Sequence, residues 1–406
     1  MKHPARGFIF TAFTVVALSL ANAIGASAQT ETILHTFTGG SDGGYPNGTL
    51  IPNSAGNLYG TTSGGGSAAF CSGCGTVFEL VRGSNGTWTQ NVLYNFGSLS
   101  NFADGLGPIG PLTFDGKGNL YGTTEAGGNA HNGTVFELSP QSNGTWTETV
   151  LYNFTGGSTG GSPLNGVVFD SHGNLYGSAG GGGYGFGLIF ELVPGTNGTW
   201  TEKIVYKFTG DSDGSAPYGP LVFDQAGNLY GASPRGGALD YGLVFKLTPG
   251  PNGKWTEKVV HVFPGGLGGS YPLGLISDAA GNLYGVASFI AYELSPQSFG
   301  NWTFKTLHVF RGGVDGASPE SALAFDRAGN LYGTTNTGGV HRGTVYELIP
   351  GSSGKWSERI MHIFAGDGVD GVFPGNSAVT VDSTGNIFGT TSGGASKAGV
   401  LYEIAP

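Results

Sequence analysis

The sequence predicts an all-β protein, a seven-bladed β-propeller with four antiparallel strands in each blade. First, glycine supplies 79 of the 406 residues, yet 12% of the chain is aromatic and only 11% is charged. This composition favours a turn-rich β fold over collagen or a disordered chain. Second, a unit of about 54 residues recurs seven times. Third, the two ends of the chain stop at complementary phases of that repeat, which predicts a closed ring.

Four strands, A to D, can be assigned within each unit. In the second unit, strand A is Leu112 to Phe114 and strand B is Asn119 to Thr123, joined by an Asp-x-x-Gly hairpin. Strand C is Thr134 to Leu138, and strand D runs from Trp146 to Phe154. Four-stranded units repeated around an axis are propeller blades. The Gly-Asn-Leu-Tyr-Gly motif of strand B begins at Gly56, Gly118, Gly173, Gly227, Gly281 and Gly329, with a Gly-Asn-Ile-Phe-Gly variant at Gly385.

The chain ends predict how the ring closes. Thr32 to Phe37 matches the pattern of strand D, and the chain stops at Pro406, just after the seventh strand C. We therefore expect the N-terminal strand to complete the C-terminal blade, so that this blade does not lack its outer strand.

The N-terminus resembles a secretory signal peptide. Basic residues precede an apolar run from Phe8 to about Ala23, and Ala26-Ser27-Ala28 fits the small-x-small cleavage rule. A membrane anchor is the alternative, but the run is short and is interrupted by polar residues. We expect cleavage after Ala28, a propeller over residues 29–406, and a periplasmic or extracellular location.

Charge narrows the classes of partner. Without the two basic residues of the signal peptide, 15 basic residues face 27 acidic ones, which gives a formal charge of −12. Nucleic acids and anionic membranes require clustered Lys and Arg and are therefore disfavoured. We expect no cofactor, no membrane span and a monomer, with a glycan or another extracellular protein as partner.

The repeat resembles that of the choice-of-anchor tandem repeat GloVer-containing proteins. The matching segments are Gly118 to Thr124, Gly133 to Leu138 and the Gly-rich stretch after strand D, and the resemblance extends over essentially the whole chain after the signal peptide. It implies a secreted bacterial repeat protein and carries no established activity. The family includes members with a C-terminal sorting anchor, whereas this chain stops at Pro406 without a hydrophobic tail, so we expect release.

One face of the predicted propeller is the better candidate for a binding site. The A–B and C–D turns are short and uniform, whereas the D–A and B–C loops on the opposite face are long and varied. Binding residues concentrate in variable loops on a constant scaffold. The candidate ligand-binding residues are the distinctive B–C side chains Glu125, His131, Arg235, Asp240, Tyr241, His341, Arg342 and Lys397.

Plainer interpretations of these residues stay open. His131 and His341 occupy the same slot of two units and can equally be ordinary loop residues. The Asp-Gly pairs of the D–A loops fit turns better than calcium sites, and we expect no metal site. The fifth unit is the shortest: around Ala287-Ser288-Phe289 it has lost the Gly-rich B–C loop, which could leave a notch in the rim.

Cys71 and Cys74 are the only cysteines, and both lie in the enlarged B–C loop of the first unit. In an oxidising compartment a local disulfide is expected. A zinc site would need further ligands, which are not nearby in sequence. A thioredoxin-type redox role would need a βαβ context, which is not predicted here.

Three classes of function remain. The first is a secreted binding module, with glycans as the leading ligand, because the variable loops carry Tyr, Asp and Asn but no recognisable catalytic motif. The second is a polysaccharide lyase or glycoside hydrolase, which rests on analogy of fold alone. The third is a structural envelope or surface protein. An enzyme would require His131, His341 or Arg342 to converge with a carboxylate at the mouth of the channel.

Overall fold

The computed structural model describes residue 29 and residues 31–163, 165–181, 183–339, 342–366, 370–394 and 397–406. The signal peptide expected at residues 1–28 lies outside these residues. The described chain forms seven separate antiparallel sheets, one for each blade, and the predicted all-β propeller is confirmed. In each blade the strands follow the predicted order A, B, C, D from the central axis outwards. Within the described residues, no helix is long and apolar enough to cross a membrane.

The strands are numbered along the chain, from β1 (Glu31–Thr36) to β30. Blade 1 contains β2 (Gly44–Pro46), β3 (Ile51–Pro52), β4 (Leu58–Gly64), β5 (Thr76–Arg82) and β6 (Trp88–Asn95). Blade 2 contains β7 (Leu106–Phe114), β8 (Leu120–Ala126), β9 (Thr134–Pro140) and β10 (Trp146–Asn153). Blade 3 contains β11 (Gly161–Pro163), β12 (Val168–Phe169), β13 (Leu175–Gly181), β14 (Leu188–Pro194) and β15 (Trp200–Lys207).

The remaining blades repeat this plan. Blade 4 contains β16 (Tyr218–Phe223), β17 (Leu229–Ser233), β18 (Leu243–Pro249) and β19 (Trp255–Val262). Blade 5 contains β20 (Pro272–Ser277), β21 (Leu283–Ala287), β22 (Ile290–Pro296) and β23 (Trp302–Val309). Blade 6 contains β24 (Ala324–Phe325), β25 (Leu331–Thr335), β26 (Thr344–Pro350) and β27 (Trp356–Ile363). Blade 7 contains β28 (Thr380–Val381), β29 (Ile387–Thr391) and β30 (Val400–Ile404).

Short 3₁₀ helices occur in the connecting loops. They span Ser100–Phe102, Gly157–Thr159, Thr196–Gly198, Pro251–Gly253, Gly266–Gly268, Ser298–Gly300, Gly313–Asp315 and Pro374–Asn376.

Blade 7 is completed by the N-terminal strand, as predicted. Strand β1 pairs antiparallel with β30, with Glu31 opposite Ile404 and Thr36 opposite Val400. Blade 7 also contacts blade 1 directly, since the backbone N–H of Tyr45 donates to the carbonyl of Ala398 at 2.7 Å. Strands β1 and β30 thereby join the first and last units of the repeat in one ring.

The A–B hairpins explain why the repeat keeps its Asp and Asn. In blade 2, Asp115 Oδ1 accepts the backbone N–H groups of Lys117 and Asn119 at 2.8 and 2.9 Å, and Oδ2 accepts from Asn119 Nδ2 at 2.9 Å. Burial alone would raise the pKa of Asp115, but these hydrogen bonds bring it below its usual value. The aspartate is therefore a turn residue, which agrees with the interpretation favoured from the sequence.

The core lies between the blades and accounts for the aromatic landmarks of the repeat. In four blades the Tyr of strand B packs edge-on against both a Phe of strand A and a Trp of strand D in the next blade. For example, the ring centroid of Tyr121 is 5.0 Å from that of Phe169 and 6.5 Å from that of Trp200. Such T-shaped contacts add to the burial of apolar surface. Each blade thus buries its faces against its neighbours.

Strand A of the second unit is longer than predicted. We expected Leu112 to Phe114, whereas β7 begins at Leu106 and pairs with β8 across a register shift between Ile109 and Thr113. Its first half contains Gly107, Pro108 and Gly110, residue types that are normally depleted in strands. Here the strand lies next to the axis, where glycine allows close approach: a Cβ on Gly110 would come within 2.5 Å of Gly166 N.

Candidate functional site

A cavity lies on the propeller axis, between the innermost strands of the ring. Its volume is about 430 Å³, within the range of about 300–1,000 Å³ that is usual for small-molecule sites. Glycine and proline supply six of the 17 described residues that line it. The larger polar side chains of the wall are Asn47, Asn165, Tyr218 and Glu320, and smaller hydroxyl side chains come from Thr49, Ser321 and Ser377.

Beside the residues that line the cavity, neighbouring blades are joined by a repeated contact, which we term the junction latch. Each unit contains one proline ahead of strand A, the repeat proline: Pro46, Pro108, Pro163, Pro217, Pro272, Pro319 and Pro374. In the latch, the backbone N–H of the residue before this proline donates to a carbonyl of the preceding blade, that of the residue before the glycine that opens strand C. At the junction of blades 4 and 5, Tyr271 N–H donates to the Tyr241 carbonyl at 2.8 Å, and Pro272 packs against Gly242. The corresponding donor–acceptor pairs are Tyr45–Ala398, Gly107–Cys74, Ser162–Asn132, Ala216–Phe186 and Phe373–Arg342.

The latch requires unusual backbone geometry. Tyr271 has φ of 52° although it precedes a proline, a position that normally favours extended backbone. Gly242 has φ of 88°, and a Cβ there would lie 2.6 Å from Pro272 Cδ. Glycine is therefore required at the latch, because any other side chain would be strained and would clash.

The junction of blades 5 and 6 has lost this contact. Ala287 pairs with Ile290, so Ser288 and Phe289 alone connect strands B and C and leave no glycine to receive the next proline. Among the described residues, no latch hydrogen bond is found for Ser318. A cleft of about 360 Å³ opens there, which corresponds to the notch expected from the short fifth unit. This 5–6 cleft is lined by Tyr271, Leu273, Ser288, Phe289, Ser318, Pro319 and Glu320.

The 5–6 cleft adjoins the axial cavity, since Leu273 and Glu320 line both. Glu320 Oε2 accepts a hydrogen bond from Asn336 Nδ2 at 3.0 Å. Desolvation raises the pKa of Glu320, and the hydrogen bond from Asn336 partly offsets that rise. Two aromatic rings, Tyr271 and Phe289, are 44% and 39% exposed, so both can contact a ligand.

Three of the candidate residues predicted from the sequence lie together beside this cleft, in the B–C loop of blade 4. Asp240 Oδ1 accepts the Gly236 N–H at 2.7 Å, and Oδ2 lies 3.4 Å from Arg235 Nη1. The Arg235 guanidinium lies 6.0 Å from the centroid of the Tyr271 ring. Tyr241 supplies the carbonyl of the latch. This loop therefore positions Tyr271, one wall of the 5–6 cleft.

The other candidates are spread around the rim. Glu125, His131 and Lys397 are exposed, in two different blades. Arg342 lies over the ring of Phe373, 5.6 Å from its centroid, and supplies a latch carbonyl. His341 lies outside the described residues. Among the described residues, neither His131 nor Arg342 lines the axial cavity or the 5–6 cleft.

Glu320 is not among the residues predicted from the sequence, although the sequence contains a signal for it. In five of the seven units the residue after the repeat proline lines the axial cavity, and Glu320 is the only charged residue at that position of the repeat.

The enlarged B–C loop of blade 1 is closed by a disulfide between Cys71 and Cys74, whose Cα atoms are 5.9 Å apart. Both cysteines lie against Gly97 at the start of the following D–A loop. The disulfide therefore holds the largest loop of blade 1 against the rim, away from the 5–6 cleft.

Known structures with the same fold include enzymes and extracellular domains. Virginiamycin B lyase from Staphylococcus aureus is 13% identical, with a TM-score of 0.56, over 93% of this chain and 99% of that chain. The extracellular domain of a putative hybrid two-component system from B. thetaiotaomicron is 12% identical, with a TM-score of 0.58, over 92% of this chain and 39% of that chain. At this identity the likeness shows the fold alone. No curated protein sequence matches the chain.

The repeat itself matches a described family. The model of the Gloeobacter/Verrucomicrobia repeat matches residues 20–178 and 143–293, together more than half of the chain. The resemblance inferred from the Gly-Asn-Leu-Tyr-Gly and Gly-Thr-Val-Phe-Glu-Leu segments is confirmed. This chain belongs to the Gloeobacter/Verrucomicrobia repeat family.

Proposed function

We propose that this protein is a secreted binding module whose ligand, a glycan, occupies the 5–6 cleft and the adjoining axial cavity. The observation that carries the proposal is the single break in an otherwise latched rim. That break joins a cavity of about 430 Å³ to a cleft of about 360 Å³ and exposes aromatic rings beside a hydrogen-bonded Glu–Asn pair.

The chemistry of the walls suits a sugar. The rings of Tyr271 and Phe289 offer apolar faces on which the C–H groups of a pyranose can pack. The Glu320 carboxylate offers charged acceptor oxygens that match vicinal hydroxyl groups, and the hydrogen bond from Asn336 Nδ2 orients it. Concave sites that combine apolar walls with a few fixed polar groups are typical of small-ligand binding.

Binding is favoured over turnover because the walls contain one carboxylate. Glycoside hydrolases generally use two carboxyl groups about 5–10 Å apart, and Glu320 is the only acidic side chain in the described walls of the cavity and cleft. Neither described wall contains a histidine. An enzyme remains the alternative, and a structural surface protein is the third candidate.

Secretion is part of the proposal. It is supported by the signal-like sequence of residues 1–28 and by the Cys71–Cys74 disulfide. The fold is shared with extracellular domains of other bacterial proteins.

A glycan array with the purified protein, followed by a depolymerisation screen of the same glycans, tests the function. We expect binding without new reducing or unsaturated ends. Removing a hydrogen bond to a charged acceptor costs about 1.5–3 kcal/mol, so Glu320→Gln should weaken the affinity by about tenfold or more. Tyr271→Ala should also weaken it strongly through loss of the ring.

Matched controls separate the cleft from the rest of the rim. Glu125→Gln changes an exposed carboxylate in blade 2, and Tyr184→Ala removes a ring in blade 3 that is 70% exposed. Both should leave the affinity unchanged. Equal losses in the cleft variants and the controls would contradict the proposed site, and turnover that disappears in Glu320→Gln would make the protein an enzyme.

A further inference from the structure

The outer strands of the propeller carry a second repeated contact, separate from the axial site. Near the end of strand D, a His or Tyr meets a residue of the following D–A loop and a residue of the outer strand of the next blade. Six sets contain all three residues: His35–Asp42–Gln90, Tyr94–Asp104–Glu148, Tyr152–Thr159–Glu202, Tyr206–Asp213–Glu257, His308–Asp315–Glu358 and His362–Asp370–Glu31. The remaining set, between blades 4 and 5, consists of His261 and Phe304 without a loop carboxylate.

In two of these sets all three side chains can ligate a metal. At the junction of blades 5 and 6, His308 Nε2 is 2.7 Å from Asp315 Oδ1 and 3.6 Å from Glu358 Oε1. At the junction of blades 6 and 7, His362 Nε2 is 3.4 Å from Asp370 Oδ2 and 3.5 Å from Glu31 Oε2. In each set the three ligand atoms lie within 4.8 Å of one another.

These spacings fit a small divalent cation. Zinc binds His nitrogen and carboxylate oxygen at about 2.0–2.2 Å, so neighbouring ligand atoms of a tetrahedral site are about 3.3–3.5 Å apart. The two distances from His362 Nε2 to Asp370 and Glu31 already have this spacing. In the set around His308, the Asp315 contact of 2.7 Å must lengthen by about 0.6–0.8 Å, and the Glu358 contact of 3.6 Å must shorten by about 0.1–0.3 Å.

The scaffold holds these ligands in place. The His308 ring packs edge-on against Phe310 with centroids 4.7 Å apart, and His362 packs against Phe364 in the same way. Asp315 Oδ2 accepts the Arg311 N–H at 2.6 Å, which leaves Oδ1 facing the imidazole. Ligands that are already held in place by their surroundings lose less conformational entropy when they bind a metal.

The set around His308 is mostly shielded from solvent but can still be reached by an ion. The side chains of His308, Asp315 and Glu358 are 20%, 21% and 13% exposed, so the carboxylates are shielded from bulk water. Glu358 Oε1 is buried and has no hydrogen-bond donor among the described residues. A surface depression lined by His308, Arg311 and Asp315 gives a path for an ion to enter.

The other junctions provide an internal comparison. Tyr94 and Tyr206 donate their hydroxyl groups to Asp104 and Asp213, both at 3.0 Å, and so satisfy the same position with a hydrogen bond. At the junction of blades 4 and 5, the His261 ring instead stacks on Phe304 with centroids 4.3 Å apart. At this position of the repeat, the propeller therefore accommodates a hydrogen bond or ring stacking. Among the described residues, only two junctions combine a His with two carboxylates.

We propose that His308–Asp315–Glu358 and His362–Asp370–Glu31 each bind one divalent transition-metal ion of the zinc type, which links neighbouring blades. Imidazole together with carboxylate favours such metals over calcium, which prefers oxygen ligands alone. Water would complete the fourth position. This revises the expectation from the sequence that the chain has no metal site, and it is independent of the proposed glycan binding.

Calorimetric titration of EDTA-treated, full-length mature protein with ZnCl₂ tests the proposal. His308→Tyr and His362→Tyr each convert a site into the Tyr-type junction already present twice, so both variants should fold. Each should lower the number of bound zinc ions by one, and the double variant by two. Tyr94→His, which places an imidazole beside Asp104 and Glu148, should raise the number by one.

Thermal melting provides a second readout. Zinc should raise the melting temperature of the wild-type protein, and this rise should be lost in the double variant. Equal zinc stoichiometry in the wild-type protein and the folded double variant would overturn the proposal, and would leave the two histidines with a hydrogen-bonding role only.

Discussion

The junctions on the two sides of blade 5 differ in the latch contact. Between blades 4 and 5, Gly242 receives Pro272 and the Tyr271 N–H reaches the Tyr241 carbonyl, so the rim is closed. Between blades 5 and 6, a two-residue turn replaces the loop and a cleft remains. A cleft that can hold a ligand can therefore arise in a symmetric scaffold by loss of one repeated contact.

The largest expected effect comes from breaking the ring altogether. Deletion of residues 29–38 removes β1, so β30 loses its antiparallel partner and blade 7 loses its outer strand. We expect a large fall in melting temperature, measured by circular dichroism. An unchanged melting temperature would mean that the closing strand contributes nothing to stability.

A smaller effect is expected when a single latch is damaged. Gly242→Ala introduces a Cβ at φ of 88°, 2.5 Å from Ser233 O and 2.6 Å from Pro272 Cδ. Left-handed strain and overpacking together should cost about 2–4 kcal/mol in the free energy of unfolding. Urea denaturation measures this cost.

Gly86→Ala is the matched control for the latch variant. Gly86 has φ of 82°, but a Cβ there would meet nothing within 4 Å. Its cost should be limited to the left-handed strain, about 1–2 kcal/mol. If both variants lose the same stability, the latch contact itself is unimportant.

Carboxyl groups between the outer strands of neighbouring blades predict a smaller effect, a dependence of the stability on pH. Burial and then the neighbouring Asp104 raise the pKa of Glu148 to about 8, and burial and then Asp213 raise the pKa of Glu257 to about 7. A carboxyl group with a raised pKa in the folded state keeps a proton that the unfolded chain has released. Its contribution to stability is complete below about pH 4.5 and is lost as the pH rises to about 8.

Melting temperatures measured in EDTA between pH 4.5 and 9 check this dependence. Above about pH 6.5 they should fall and then level off, and Glu148→Gln together with Glu257→Gln should flatten that slope. Below that pH the slope has a second contribution of opposite sign, because burial lowers the pKa of His261 to about 4. The aspartates of the A–B turns do not confuse the result, because hydrogen bonds lower the pKa of residues such as Asp115. A slope that is unchanged in the double variant would contradict the assignment.

The fold was predictable because the same pattern of strands and turns recurs seven times in the sequence. Strands B, C and D have regular aromatic and β-branched patterns, and the phase of Thr32 to Phe37 revealed the closure. The inner half of strand A was not predictable, since Gly107, Pro108 and Gly110 are typical of loops and form a strand only where backbones crowd the axis.

The candidate site was predictable in outline only. The short fifth unit indicated a notch, and the blade 4 loop with Arg235 does lie beside it. Glu320 was overlooked because it lies in the D–A connection that leads into β24, whereas the sequence argument singled out side chains of the B–C loops. The pairing of Glu31 with His362 depends on ring closure between residues that are far apart in sequence, so no local pattern could reveal it.

The most direct test restores the missing rim contact at the junction of blades 5 and 6. In this variant, the blade 4 segment Pro234 to Gly242 replaces Ser288 and Phe289, supplying a loop and a glycine for Pro319. Its glycan affinity should be compared with that of the wild-type protein, with circular dichroism confirming that the variant is folded. A folded variant in which the 5–6 cleft is closed should lose glycan binding. Undiminished binding by that variant would contradict the assignment of the 5–6 cleft as the ligand site.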